Sequence, residues 1–309
     1  MGKDMNILMT GSTGFIGSHL TPYLEKYNTL YHLQSDLRDH DAVKLEVIEF
    51  NPDVIVHLGA RTEVEKSFYE QVEFSDINYT GTINLVEAAS KIKDLQNFVF
   101  ASTMEVYGHQ PISDEVLRNT RPNKYIAFDE NTIPYPNAPY SVAKFGCEKY
   151  LEYAGRCYNL PYTIIRQTNC YGRKDNNFFV TEQIITQMLA GDEVNLGYAE
   201  PYRNFIYIDD MLEAWTLIVN EPEKCKNKIF TLGPDEPIKI RDYADMIASK
   251  MGWSGTINWD TKPKRPGEIY WLNSTGKLLK ETTGWEPKVG LSEGLDRTIE
   301  FWKNKLDAR

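Results

Sequence analysis

Tyr140 and Lys144 stand four residues apart in the segment YSVAK, a spacing that puts both side chains on one face of a helix. A lysine ammonium held near a phenol lowers the phenol pKa, and a tyrosine tuned in this way is a usable general base near neutral pH. A second chemically meaningful group is Gly11-Ser12-Thr13-Gly14-Phe15-Ile16-Gly17. In such a run Gly11 permits a tight turn, Gly14 lets backbone approach a pyrophosphate, and Gly17 lets a helix pack closely on the preceding strand. The helix N-terminus then offers free N–H groups and positive dipole to phosphate oxygens.

Positioning these residues requires a particular order of elements. NILMT (6–10) has the pattern of a buried strand, and a helical pattern follows over 15–27, with Pro22 inside it predicting a kink. Strands are predicted over 29–33, 53–58, 98–102 and 162–167, and helices over 41–51, 76–92 and 140–158. This alternation implies right-handed βαβ units, and so an α/β fold with a doubly wound parallel sheet. The stretch 205–220 has the pattern of a strand and helix returning to that sheet, while 238–252 and 291–306 predict helices of a smaller lobe. The expected division is a dinucleotide-binding domain of residues 1–168 plus about 203–232, and a substrate lobe of 169–202 and 233–309. The cleft between them is the natural ligand site.

The 309 residues carry a net charge of −10, which argues against nucleic acid or an anionic membrane as partner. Any phosphate ester must therefore meet cations placed locally. The four cysteines and five histidines show no metal-ligand spacing, so no metal is expected and the thiols are read as reduced. No apolar run is long enough to span a bilayer, and the N-terminal residues lead directly into a strand. A cytoplasmic location is the expectation, with Asn78-Tyr79-Thr80 and Asn273-Ser274-Thr275 as chance sequons.

TGSTGFIGSHL resembles the opening of the extended short-chain dehydrogenase/reductases, the nucleotide-sugar epimerases and dehydratases. The resemblance continues through DVIVHLGA (53–60), FASTMEVYG (100–108), YSVAK (140–144), RQTNCYG (166–172), YRNFIYIDD (202–210), RPGE (265–268) and GWEP (284–287). These blocks keep the family's order over nearly the whole chain. The resemblance implies a Rossmann-type sheet with a smaller C-terminal α/β substrate lobe, and a nucleotide-diphosphate sugar as substrate. It implies tightly bound NAD that oxidises the hexose at C4 before epimerisation or elimination. It also implies a homodimer formed by helices near 78–92 and 140–157.

Carried over residue by residue, the resemblance assigns Gly11, Thr13, Gly14, Phe15, Ile16 and Gly17 to the dinucleotide phosphates. Asp36 and Leu37 fall at the adenine. Leu58, Gly59, Ala60, Thr62, Asn78, Ala101, Ser102 and Gln167 complete the dinucleotide set with Tyr140 and Lys144. His57 is read as a structural residue of its strand end. The second strand ends His32-Leu33-Gln34-Ser35, without the acid that usually bonds the adenosine ribose. NAD is the expected coenzyme, and Arg38 leaves NADP as the alternative.

In the family the tyrosine takes the proton of a sugar hydroxyl as hydride goes to the nicotinamide. Thr103 bonds the reacting oxygen, and Asn169, Arg203 and Arg265 hold the substrate diphosphate. Glu105 matches the dehydratase glutamate, but Met104 stands where those enzymes carry an acid, and a thioether cannot donate a proton. Asn204 stands where relatives more often have aspartate. The connection from Gly108 to Pro139 is longer than usual and is expected to cover the sugar site. Two other readings remain: a 4-ketosugar reductase or net dehydrogenase with exchangeable coenzyme, and a dinucleotide-sensing protein without turnover.

Overall fold

The computed structural model describes residues 4–108 and 126–307. Its centre is a parallel six-stranded sheet in the order β2-β1-β3-β4-β5-β9. The strands are β1 (Asn6–Thr10), β2 (Thr29–His32), β3 (Val54–His57), β4 (Asn97–Thr103), β5 (Tyr162–Gln167) and β9 (Lys228–Leu232). Side chains alternate across a strand, and here both faces are covered. Ile7, Met9, Val54, Val56, Val99 and Ile165 enter one core with Leu20, Leu24 and Trp215. Leu8, Ile55, Phe98, Phe100 and Ile164 enter the other with Val43, Val47, Leu85 and Leu151. A sheet buried on both faces explains why these strands are continuous apolar runs.

Helix α1 (Phe15–Glu25) keeps its helical path through Pro22. The predicted helix 76–92 is divided: a π-helical turn over Asp76–Thr80 precedes a regular helix over Gly81–Ala89. The helix bearing Tyr140 and Lys144 spans Pro139–Tyr158. Pro139 at its first turn needs no N–H partner, and Asn159 closes it in the left-handed region at φ 57°.

The strand at 202–207 does not return to the large sheet as expected. Tyr202–Tyr207 (β8) pairs instead with Pro237–Lys239 antiparallel, and with Trp271–Leu272 and Asn169–Tyr171 parallel. Its six residues are all buried. Phe205 stacks on Tyr243 with centroids 4.1 Å apart, and Tyr202 lies 5.0 Å from Trp271. These aromatic partners belong to the lobe, so the strand stays there and β9 takes the sheet edge. The following helix, Ile208–Asn220, does come back: Trp215 Nε1 donates to Gln167 Oε1 at 3.1 Å. The lobe's aromatic core is continuous with one face of the large sheet.

Candidate active site

The glycine turn is built by steric exclusion. Gly11 sits at φ +72°, and a Cβ on it would fall 2.6 Å from the Gly59 nitrogen. A Cβ on Gly17 would fall 2.1 Å from the Gly11 oxygen, so α1 rests directly on the turn. Gly14 is the N-cap of α1 and offers no side-chain cap. The first-turn N–H groups are thus left to a ligand. This turn opens on a cavity of about 800 Å³ between the sheet's carboxyl ends and the lobe. The cradle fits a dinucleotide pyrophosphate on these grounds.

β4 delivers Thr103 to the same cavity and passes into a 3₁₀ turn, Met104–Tyr107, whose first N–H groups Thr103 caps by accepting from Glu105 N at 3.2 Å. The Tyr140 phenol lines the cavity together with Thr103 and Glu105. Burial pushes this phenol well above its ordinary pKa, the Glu105 carboxylate pushes it further, and the Thr103 side chain opposes both. Lys144 was expected to lower the phenol pKa. Instead its Nζ donates to the Ala101 carbonyl at 2.9 Å and lies 4.7 Å from the Phe100 ring centroid. Desolvation brings the ammonium itself down to about 8. In this state the dominant influence on the phenol is burial, which favours the neutral form.

Most of the expected site residues line this one cavity: Gly11, Thr13, Gly14, Phe15, Ile16, Gly17, Leu58, Ala60, Thr62, Ala101, Ser102, Thr103, Glu105, Tyr140, Lys144, Gln167, Asn169, Arg203 and Arg265. Four do not, and each has a structural task. Asp36 is forked by Arg38, with Nη2 at 2.6 Å, which also holds the Arg38 guanidinium in place. Leu37 packs under Gly81 and Gly59 and gives its carbonyl to Asn84. Gly59 N donates to Thr10 Oγ1 at 2.9 Å. Asn78 spans the Arg61 backbone, accepting from its N at 2.8 Å and donating to its O at 2.9 Å, and so shapes the loop that carries Ala60 and Thr62. His57 is the expected structural residue, held between Thr10 and Thr82 hydroxyls at 2.6 and 2.9 Å. Full burial pushes its pKa down to about 3.

The two arginines share a carboxylate that the motif reading passed over. Glu268 lies 2.9 Å from Arg265 Nη2 and 3.6 Å from Arg203 Nη2. Its place inside RPGE was the available signal. Arg203 is buried and also donates to the Tyr202 and Ile269 carbonyls, each at 2.8 Å. Asn169 Nδ2 donates to the Asn204 carbonyl at 3.3 Å. Asn204 itself now has an account: its Nδ2 donates to Ser274 O at 2.9 Å and its Oδ1 accepts from the Thr168 hydroxyl. An aspartate there would set a carboxylate against a carbonyl. Met104 is buried against Tyr107, Phe128 and Trp271, so no acid occupies its position. Of the long connection, residues 109–125 lie outside the described residues. Its last part docks on the lobe, with Phe128 bridging Ser274.

A phosphate-cradling turn and a Thr/Tyr/Lys constellation at the carboxyl ends of one parallel sheet define a dinucleotide-dependent redox enzyme. The model of the NAD dependent epimerase/dehydratase family matches residues 7–233, and the chain belongs to that family; it is an NAD-dependent enzyme. It is 31% identical, over 96% of this chain and 98% of the other, to a Methanocaldococcus jannaschii protein provisionally named UDP-glucose 4-epimerase. The UDP-glucose 4-epimerase of Thermotoga maritima, solved with UDP-glucose, superposes with a TM-score of 0.85 at 29% identity, covering 98% of this chain and 100% of that one. The Thermus thermophilus UDP-glucose 4-epimerase, solved with NAD, gives 0.85 at 26% identity over 97% and 99%.

Proposed function

We propose that this chain is a redox-neutral epimerase of nucleoside-diphosphate hexoses, acting through a transient C4 ketone. The observation that carries the reading is one cavity lined by the Tyr140 phenol, Thr103, Glu105 and Lys144, with a buried thioether at 104. Bound NAD would supply the acceptor for the C4 hydride and the source from which that hydride is returned to the ketone, so the coenzyme ends as it began. Tyr140 takes the C4 hydroxyl proton, and Thr103 holds the same oxygen by a hydrogen bond. Lys144 holds its ammonium at the end of β4 by donating to the Ala101 carbonyl, and there it lines the same cavity as the phenol. Once C4 is a ketone, the hydrogens at C3 and C5 are acidic, and Glu105 is the carboxylate within electrostatic reach of the phenol to receive one. Elimination of a C6 hydroxyl also needs an acid, and Met104 cannot supply it.

Arg203 and Arg265 hold the diphosphate in this reading. Guanidinium forks match phosphate oxygens bidentately, and Glu268 sits between the buried Arg203 and the partly exposed Arg265 and keeps the two cations compatible. Two further elements belong to the same proposal. A homodimer would cover the exposed Val142 and Tyr153 on the Tyr140 helix and the exposed Val72 and Tyr79 on the helical segments beside it. A cytoplasmic location suits the free thiols of Cys147, Cys157, Cys170 and Cys225, and no described helix is long and apolar enough to cross a membrane.

The test has two readings. Denaturing the purified protein should release NAD at about one per chain, as expected of a coenzyme that is regenerated in place. Incubation with UDP-, dTDP-, GDP- and CDP-hexoses, followed by NMR, should show a diastereomer of one of them and no net NADH. An empty protein that consumes NADPH on a 4-ketosugar would overturn the proposal in favour of a reductase.

A further inference from the structure

Beneath the active site lies a polar group that the chemistry above does not use. Glu148 is fully buried, one helical turn beyond Lys144 and two beyond Tyr140. Its Oε1 accepts the Ser102 hydroxyl at 2.5 Å. Arg166, on β5 and also buried, forks it with Nη2 at 2.7 Å and Nε at 3.1 Å. The remaining arm of Arg166, Nη1, donates to the Tyr107 hydroxyl at 3.3 Å, and that hydroxyl donates on to the Asp129 carbonyl at 2.8 Å. One carboxylate therefore grips both ends of the segment 102–107. Ser102 precedes Thr103, and Tyr107 closes the turn that carries Glu105.

We propose that Glu148 is a positioning residue for this reaction: through Ser102 at one end and Arg166–Tyr107 at the other, it sets the register of Thr103 and Glu105 against Tyr140 and Lys144. The segment 102–107 and the Tyr140 helix are joined through the sheet by backbone that tolerates small shifts, whereas proton transfer tolerates few. A buried, bidentate, charge-assisted cluster has one favourable arrangement and resists sliding. A pair kept only for stability would not need both remaining arms to end on the two flanks of the catalytic turn. The inference rests on the proposed role of Tyr140 and Thr103, and its test is chosen to be separable from that reading.

Glu148→Gln leaves the Arg166 guanidinium buried without its counter-charge and is at risk of not folding. Ser102→Ala and Tyr107→Phe each remove one arm and keep the ion pair. Amide hydrogen exchange by mass spectrometry needs no substrate. Peptides covering 102–107 should exchange about tenfold faster in either variant, since one buried hydrogen bond to a charged network is lost, while peptides of β1 and β5 stay as in the wild type. With a hexose that the wild type turns over, Tyr107→Phe should lower kcat by about tenfold with KM and bound NAD nearly unchanged, while Ser102→Ala, at a residue lining the dinucleotide cavity, is read by exchange alone. Unchanged exchange at 102–107 in both variants overturns the proposal, whatever the substrate proves to be. So does a loss of melting temperature with kcat intact, which would make the cluster purely structural. A wild type inert to every hexose, with exchange at 102–107 altered as expected, would instead sink the epimerase reading and leave the positioning role standing.

Discussion

The Lys144 ammonium donates to the carbonyl of Ala101 at 2.9 Å, so the lysine is tied to the end of β4 and not to the phenol one turn before it. Burial lowers its pKa to about 8, although the neighbouring Cys147 and Glu148 partly restore the charged form; the other titratable ring close by, His57, is held neutral. A folded-state pKa below the ordinary lysine value means that the ammonium is complete below that pH and disappears as pH rises through it. The kcat/KM profile should therefore carry an alkaline limb near pH 8. Lys144→Arg, whose guanidinium does not titrate there, should abolish that limb even if the plateau is lower. A limb unchanged in this variant would assign it to another group.

Tyr140→Phe removes the oxygen that takes the hydroxyl proton in the proposed step and leaves the ring packing. Turnover should drop by roughly 10²–10⁴-fold, the range of general acid–base catalysis, while NAD released per chain stays as in the wild type. Thr103→Val should give a smaller loss, about tenfold, because it deletes one hydrogen bond to the reacting oxygen. Full activity in Tyr140→Phe would eliminate the site.

Glu105 acts electrostatically on the Tyr140 phenol and on both Arg203 and Arg265. If it receives a proton from carbon beside the C4 ketone, product formed in D₂O should carry deuterium at C3 or C5, and Glu105→Gln should remove the label. Product that is epimerised only at C4 and never labelled would show that the ketone turns over within the site and that Glu105 serves to balance the arginines.

Asn204 is buried, and its amide nitrogen feeds the Ser274 carbonyl. Asn204→Asp should lower stability by roughly 1–3 kcal/mol, the cost of a buried acceptor left without its donor. It should be visible as a fall in melting temperature with little change in KM. Equal melting temperatures would mean that the carboxylate is protonated or that the loop bearing Ser274 has moved.

The alternation of apolar runs and amphipathic stretches was sufficient to read the order of β1 to β5, because a strand buried on both faces and a one-sided helix impose different periods on local sequence. The glycine turn and the Tyr140/Lys144 spacing were legible for the same reason: both are short-range geometric requirements, met within a few residues. What distant residues decide was not legible. β8 has the composition of a central strand, yet it pairs with lobe strands, with Phe205 stacked on Tyr243 and Tyr202 packed against Trp271. The structural partners of Asp36 and Asn78 were not legible either: Arg38 forks the first and the Arg61 backbone is spanned by the second. The tuning of Tyr140 depends on how completely the lobe and sheet exclude water from it, and the pairing of Glu148 with Arg166 joins a helix to a strand that the sequence separates by 18 residues. Local spacing determined which chemical groups this protein carries; desolvation and long-range pairing, which exist only in the folded chain, decided which of them are free to act.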